Sequence, residues 1–195
     1  MDRSLYISMT GAKQNMYAQQ VNANNLANAD TTGFKQDFAN ARSMPVYGEH
    51  HPSRAYAMTE NPGADLSHGP MKQTGRSLDI AIKGDGWLAV EPEPGDEAYT
   101  RAGSLQVDAN GILRNGEGLP VMGNVGPVGV PPADKIEIGS DGTLSVVPAG
   151  APSDQLVEVD RLKLVDPGED QIQKGDDGLF RLKPDADQQG PLQPD

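Results

Sequence analysis

Short apolar runs separated by glycine turns recur between residues 70 and 183 of this 195-residue chain, and they restrict that part to a β fold. Residues 78–82 alternate apolar with small or polar side chains, Gly84-Asp85-Gly86 turns the chain, and residues 87–90 begin the next run. Asp-Gly and Asn-Gly pairs suit such turns because they adopt positive φ at little cost. We therefore predict a mainly β, turn-rich sandwich or barrel-like domain over 70–183.

The same pattern predicts further strands along this domain. They fall at residues 104–107, 112–113, 136–138, 144–147, 157–165 and 178–182, with 157–165 as the longest strand. The chain contains 23 glycines and 16 prolines, a content that favours a turn-rich β protein over a helix bundle.

Residues 3–28 show a different pattern, with the period of an amphipathic helix. Apolar residues recur there at alternating four- and three-residue steps, with Gln19 as the one polar intrusion. The opposite face is rich in glutamine and asparagine, and asparagine is a poor helix former, so this helix should need a partner surface. We predict that its apolar stripe, called here the seam, is an assembly interface; the alternative is that it packs on its own domain. The seam consists of Leu5, Met9, Ala12, Met16 and Leu26.

An asparagine-rich stretch follows the seam and ends in a Thr-Thr-Gly-Phe turn. Called here the junction, it comprises Asn24, Asn25, Leu26, Ala27, Asn28, Ala29, Asp30, Thr31, Thr32, Gly33, Phe34 and Lys35. We predict that it ends the helix and directs the chain into an extended arm or linker at residues 36–69, where no periodicity is visible. Residues 184–195 lack a core-forming pattern and are expected to be a frayed tail.

The distribution of charge argues against a nucleic-acid partner. Residues 1–60 carry five basic and five acidic groups, whereas residues 61–195 carry 11 basic and 23 acidic groups, the whole of the net charge of −12. An acidic domain repels phosphate backbones.

Targeting and membrane signals are also missing from the sequence. No basic segment followed by an apolar core suggests a cleaved signal peptide, and no run approaches the roughly 18 apolar residues of a membrane span. We therefore expect no membrane insertion, and export by a route without a cleaved signal is compatible with the sequence.

Several local patterns resemble ligand sites but fail on their context. Gly84-Asp85-Gly86 with Ala89 fits the dinucleotide fingerprint, yet a strand and Pro92 follow where a helix is required. A calcium loop starting at Asp108 would place Leu113 at its glycine position. The predicted turns at Asp108, Asp141 and Asp177 account for these carboxylates without chemistry.

The chain also shows no pattern of a catalytic or metal site. His50, His51 and His68 lack the spacing of metal ligands, there is no cysteine, and no G-x-S-x-G nucleophile motif occurs. We predict a protein that is not an enzyme and has no catalytic residue, cofactor, metal or small-molecule substrate.

The junction resembles the signature of the bacterial flagellar axial proteins, the rod and hook family, which carry an Asn-Asn-Leu-Ala-Asn run and then a threonine-glycine-phenylalanine turn. Gly84-Asp85-Gly86-Trp87 stands where the family usually has Gly-Asp-Gly-Phe. Further blocks resemble the family in the same order, and they are most similar to its proximal-rod branch. They lie at residues 1–12, 69–82, 99–103, 141–144, 161–165 and 174–180.

The resemblance implies a structural subunit of the basal-body rod that works in motility and polymerises through its terminal helices to transmit torque. It implies other rod subunits and the flagellar export machinery as partners, and a place in the periplasmic part of the flagellum. Family members pair their N- and C-terminal helices in the inner layer of a tube, with a β domain outside. This sequence reaches Asp195 without a second amphipathic helix, so we expect residues 1–28 to be mobile or docked atypically in the isolated chain.

Two other interpretations stay open at this point. The first is a distal rod or hook-type axial protein. The second is an all-β glycan-binding or glycan-cleaving domain, which saturable binding or turnover of peptidoglycan by residues 70–183 would favour.

Overall fold

A computed structural model of the chain describes residues 3–45, 55–60, 63–152 and 154–183. The chain forms two compact units, residues 1–67 and residues 68–195, which are described separately.

The described residues of unit 1 form one helix and one β-hairpin. Helix α1 spans Arg3–Ala27, strand β1 spans Asn40–Pro45 and strand β2 spans Ala55–Glu60. The strands are antiparallel, with Asn40 opposite Glu60 and Pro45 opposite Ala55, and α1 packs against β2. The predicted helix is thus confirmed to within one residue at its C-terminal end.

In unit 2, residues 68–152 and 154–183 form short antiparallel strands that are arranged in three sheets. The strands are β3 (Trp87–Val90), β4 (Ala98–Thr100), β5 (Leu105–Val107), β6 (Leu113–Asn115), β7 (Ala133–Ile138), β8 (Thr143–Pro148), β9 (Val157–Arg161), β10 (Leu164–Val165), β11 (Ile172–Lys174) and β12 (Phe180–Leu182), with a 3₁₀ turn at Glu169–Gln171. The sheets have the orders β10-β3-β4-β12-β11, β5-β6 and β7-β8-β9. The mainly β prediction is confirmed, but among the described residues these sheets do not close into a barrel.

One apolar cluster joins the sheets of unit 2. Its fully buried members come from strands of every sheet and from the segment between β6 and β7, and each contributes about 1.5–3 kcal/mol by leaving water. They include Leu88, Val90, Leu105, Leu113, Val121, Val128, Leu144 and Val146. At one edge of the buried region the rings of Trp87 and Phe180 pack with centroids 4.4 Å apart.

Carboxylates at three turns stabilise the connections between strands, as the sequence predicts. Asp108, Asp141 and Asp177 each accept a hydrogen bond from the backbone N–H two residues further on, at 2.8 to 3.2 Å. Arg114 bonds Asp108 and Arg181 bonds Asp177, and these bonds hold the pKa of both carboxyls below the ordinary value. The carboxylates therefore have a structural role in the turns.

Two strand predictions are wrong. Residues 78–82 form a single bridge, Asp79 to Ser104, so Gly84-Asp85-Gly86 is a turn but does not close a hairpin with β3. The predicted strand 157–165 is divided between two sheets. The break falls at Leu162, whose side chain is buried, and at Lys163, whose backbone N–H donates to the Met122 carbonyl.

The arm predicted at residues 36–69 contains a hairpin that the sequence does not indicate. Every described residue of β1 is exposed, and β2 is exposed except at Thr59 and Glu60, which are half-buried. A strand pair with so little buried surface has no apolar alternation to reveal it.

Among the described residues, no helix has both the length and the apolar character needed to cross a bilayer.

Candidate functional site: the N-terminal helix and its junction

Two stripes of residues run along α1 on opposite sides. The half-buried stripe follows the same four- and three-residue steps as the seam but is shifted by two positions, which is a rotation of about 200°. Its members are Ile7, Gly11, Gln14, Ala18, Val21, Asn25 and, just beyond the helix, Asn28. Of the polar residues that the sequence places opposite the seam, Gln14 and Asn25 lie on this half-buried stripe, whereas Asn15, Gln20 and Asn22 are exposed.

Gln14 joins this face to the hairpin through two hydrogen bonds. The Thr59 backbone N–H donates to the Gln14 side-chain oxygen at 3.0 Å, and the Thr59 hydroxyl donates to the Gln14 carbonyl at 3.3 Å. A polar residue at this position satisfies an amide of β2 that an apolar one would leave unbonded.

The seam itself is exposed. Leu5 is 59% exposed, Met16 is 70% exposed and Leu26 is 79% exposed, and Met9 and Ala12 are exposed as well. The hairpin lies on the opposite side of α1, so packing within unit 1 does not account for the apolar stripe. A stripe of large apolar side chains in water marks an interaction surface; its role in assembly stays a prediction.

The junction begins where asparagine side chains bond the last helical turn. The Asn28 amide donates to the Asn24 carbonyl at 3.0 Å, and the Thr31 hydroxyl donates to the Asn28 side-chain oxygen at 3.3 Å. The Asn24 carbonyl also accepts from the Asn28 backbone N–H at 3.1 Å, so the side-chain amide of Asn28 adds a second bond at the helix end. Gly33 follows with φ 78°, a conformation that other residues adopt at a cost.

Asn25 holds the outgoing chain against the helix. Its amide donates to the Asp37 carbonyl at 2.9 Å, and its side-chain oxygen accepts from the Asp37 N–H at 3.0 Å. This pair of bonds resembles one step of a β ladder. It requires a side chain with both a donor and an acceptor, so an ionised aspartate or a leucine at position 25 could not make both bonds.

Lys35 ties the start of the arm to its end. The lysine is 8% exposed, and its ammonium donates to the carbonyls of Leu66 at 3.1 Å and Ser67 at 2.7 Å. A three-donor cation meets two main-chain acceptors that lie 31 and 32 residues further along. The arm therefore leaves and returns at one place.

Backbone pairing continues beside Lys35. The Asp65 N–H donates to the Gln36 carbonyl at 2.8 Å, and the Phe38 N–H donates to the Gly63 carbonyl at 3.1 Å. Hydrogen bonds from Ser67 and then Gln36 hold the pKa of Asp65 below its ordinary value. The junction is thus part of one hydrogen-bonded structure that also includes residues 36–38 and 63–67.

The remaining junction residues present their side chains outward. Asn24, Leu26, Ala27, Ala29, Asp30, Thr31 and Thr32 are exposed, whereas Phe34 is half-buried. Leu26 belongs to both the junction and the seam, so the exposed surface of the helix continues to its end.

Replacing Lys35 by methionine should loosen the junction. The apolar stem is kept, but two carbonyls lose a charged donor, which we expect to cost about 2 kcal/mol. The expected result is faster hydrogen exchange, by roughly 30-fold, at the amides of Asp65 and Phe38. The Lys13→Met variant, at an exposed position on α1, should exchange like the unmodified protein. Equal exchange in the two variants would contradict this role of Lys35.

The other patterns weighed in the sequence are accounted for differently. The segment after Gly84-Asp85-Gly86 is strand β3, so no helix N-terminus is present there for a dinucleotide. His68 bonds Asp85 and Arg101, and His50 and His51 lie outside the described residues. Within the described ranges, no group of three or more histidine or acidic side chains is placed to hold a metal ion.

Comparison with known proteins places the helix and the β domain in one group of proteins. The family model described as "Flagella basal body rod protein" matches residues 5–35, and the model described as "Flagellar hook protein FlgE/F/G D1 domain" matches residues 81–146. The first match covers the seam and the junction together. Both models describe flagellar proteins, one of the basal-body rod and one of the hook.

Curated relatives extend the similarity over most of the chain. The chain is 45% identical to the flagellar basal-body rod protein FlgF of Escherichia coli (strain K12) over 93% of its own length and 72% of that protein. It is 42% identical to FlgF of Salmonella typhimurium over 95% of its length and 74% of that protein. With FlgG of Bacillus subtilis the identity is 35%, over 76% of the chain and 62% of that protein.

The chain therefore belongs to the flagellar basal-body rod protein family, and it is similar to FlgF proteins at 42–45% identity over most of its length. It is a structural subunit of the flagellar basal body that assembles with other rod components, and it is not an enzyme. The distal-rod or hook-type alternative fits only weakly, and a glycan-cleaving role is not supported.

Proposed function

We propose that the chain is a subunit of the proximal rod and that it joins neighbouring subunits through the seam of α1. The exposure of the seam is the observation that supports this most directly. Leu5, Met9, Met16 and Leu26 are each more than half exposed, although they recur with the regularity of a helix–helix contact. A neighbouring subunit would cover them and remove this apolar surface from water.

The junction gives this helix a defined exit. Because Asn25 and Lys35 bond the backbone of the arm, the chain leaves the helix in one direction, on the side away from the seam. A neighbour could then approach the seam without meeting the arm. Torque would pass through such packed contacts, which requires rigid connections and no catalytic group.

Several finer features belong to the same proposal. The subunit would reach the rod through the flagellar export machinery, without a cleaved signal peptide, and would lie in the periplasmic part of the basal body. Its acidic residues 61–195 disfavour a nucleic-acid partner. No cofactor or small-molecule substrate is part of the proposal.

A single cysteine can test whether the seam is covered in the rod. The chain has no cysteine of its own, so a Met16→Cys variant carries one reactive thiol on the seam. We expect fast labelling by a thiol reagent in the free protein, protection of at least tenfold in isolated basal bodies, and fast labelling again after the basal bodies are dissociated.

A matched variant controls for access of the reagent. Val125 is fully exposed in unit 2, and a Val125→Cys variant reports how freely the reagent reaches the β domain. Equal labelling of Met16→Cys in free protein and basal bodies would contradict the seam as an assembly contact.

A further inference from the structure

His68 bridges two charged side chains at the surface of unit 2. Its Nε2 lies 2.9 Å from a carboxylate oxygen of Asp85, and its Nδ1 lies 3.2 Å from Nη1 of Arg101. Arg101 in turn lies over the ring of Trp87, with its guanidinium carbon 5.0 Å from the ring centroid. The four side chains form a continuous array, called here the clasp.

The chemistry of the partners determines the protonation state of the ring. A guanidinium can only donate, so Nδ1 of His68 must be the acceptor and carries no proton. An ionised carboxylate only accepts, so Nε2 carries the proton and donates to Asp85. These two contacts together assign to His68 a neutral imidazole with its hydrogen on Nε2.

Addition of a second proton is incompatible with this arrangement. The proton would sit on Nδ1, between the ring and a guanidinium that cannot accept it, and two positive charges would face each other. The contact with Asp85 would strengthen, so the ring would stay and Arg101 would separate from it. The other acidic group whose charge acts on Arg101 is Asp166.

We propose that the clasp is a proton-sensitive switch in which protonation of His68 releases Arg101 from the imidazole and shifts it relative to Trp87. Arg101 is poorly held by other bonds, since its buried Nε has no hydrogen-bond partner among the described residues. Histidine is the side chain whose charge ordinarily changes between about pH 5 and 8, and this is the range over which the switch is tested. This inference is independent of the assembly role of α1.

The sequence supplies a built-in reporter for this change. Trp87 is the only tryptophan in the chain, and a cation over an indole ring alters its surroundings directly. In the full chain, we expect the Trp87 emission to change reversibly and sigmoidally between pH 8 and pH 5 while far-ultraviolet circular dichroism stays constant.

A His68→Gln variant removes the side chain that can take up a proton but keeps both hydrogen bonds. Glutamine can accept from Arg101 through its oxygen and donate to Asp85 through its nitrogen, and it does not titrate. The Trp87 emission of His68→Gln should stay constant between pH 8 and pH 5. A double variant with His50→Gln and His51→Gln should keep the transition. A flat curve in the unmodified protein, or the same transition in His68→Gln, would overturn the proposal.

Nuclear magnetic resonance gives a second measurement. The ¹⁵N shifts of the His68 ring at pH 8 should identify the tautomer with hydrogen on Nε2, and the Nη1 contact should be lost on acidification. A ring with hydrogen on Nδ1 at pH 8 would also overturn the proposal, because that tautomer cannot accept from Arg101.

Discussion

Replacing Leu5 or Met16 by aspartate should abolish incorporation into the rod and motility, while the β domain of unit 2 stays folded. Each side chain is more than half exposed in the chain alone, so the substitution removes little from its own fold. In a covered interface each would contribute about 1.5–3 kcal/mol of burial, and a carboxylate there would cost several kcal/mol more. The loss would recur at every subunit contact.

The measurement is swarming on soft agar together with the subunit content of isolated basal bodies, in a strain whose only copy of the gene carries the variant. Asn22→Asp is the matched control, because Asn22 is exposed on α1 without being a member of the seam and the change adds the same charge. It should support normal swarming. Normal motility in both seam variants would refute the assembly role of the seam.

A Gly103→Ala substitution should destabilise unit 2 by about 3 kcal/mol or more. A Cβ at this buried position would overlap the carbonyl oxygen of Ile80, and that backbone is held in place because the Ile80 N–H donates to the Gly103 carbonyl at 2.8 Å. Neither side can retreat without breaking the only pairing that residues 78–82 make with the strand region around Ser104.

Chemical denaturation followed by Trp87 emission would measure this loss of stability. Gly126 is the control, since a Cβ there meets nothing within 4 Å and its φ is not in the left-handed region. Gly126→Ala should shift the free energy of unfolding by less than about 0.5 kcal/mol. An equal denaturation midpoint for the two variants would contradict this prediction, because it would show that the backbone at Ile80 moves to make room for the added Cβ at little cost.

Local patterns predicted the parts of the fold whose partners lie nearby in the sequence. Helix α1 follows from its own periodicity. The pairs β5–β6 and β7–β8 are hairpins closed by turns at Asp108 and Asp141. In these cases the residues that determine the structure are within one hairpin or a few helical turns.

Distant pairing explains what the sequence did not reveal. Strand β4 is three residues long and pairs with β3 and β12, the second of which lies some 80 residues away. Residues 78–82 alternate like a strand, but they form a single bridge, from Asp79 to Ser104. Strand β5 begins directly after Ser104 and pairs with β6. Alternation indicates which side chains face a core; it does not indicate how much backbone a neighbour offers.

The candidate site was predicted in part. The seam residues were identified by spacing, and the structure places all of them on one exposed stripe. The bonds inside the junction were not foreseen, because Asn25 and Lys35 act on backbone groups 12 to 32 residues away. A polar side chain that bonds a backbone group can have a partner of any residue type. The sequence therefore does not reveal which residue that partner is.

The two stripes of α1 limit how the length of this helix can change. One stripe meets the hairpin and the other stays exposed, and both repeat every seven residues. Inserting one residue in mid-helix would turn everything beyond it by about 100°, so both surfaces would be out of phase at once. Seven residues would turn it by only about 20° from its starting direction. Changes in the length of this helix are therefore compatible with both surfaces only when they nearly restore the phase, as insertions of about seven or eleven residues do.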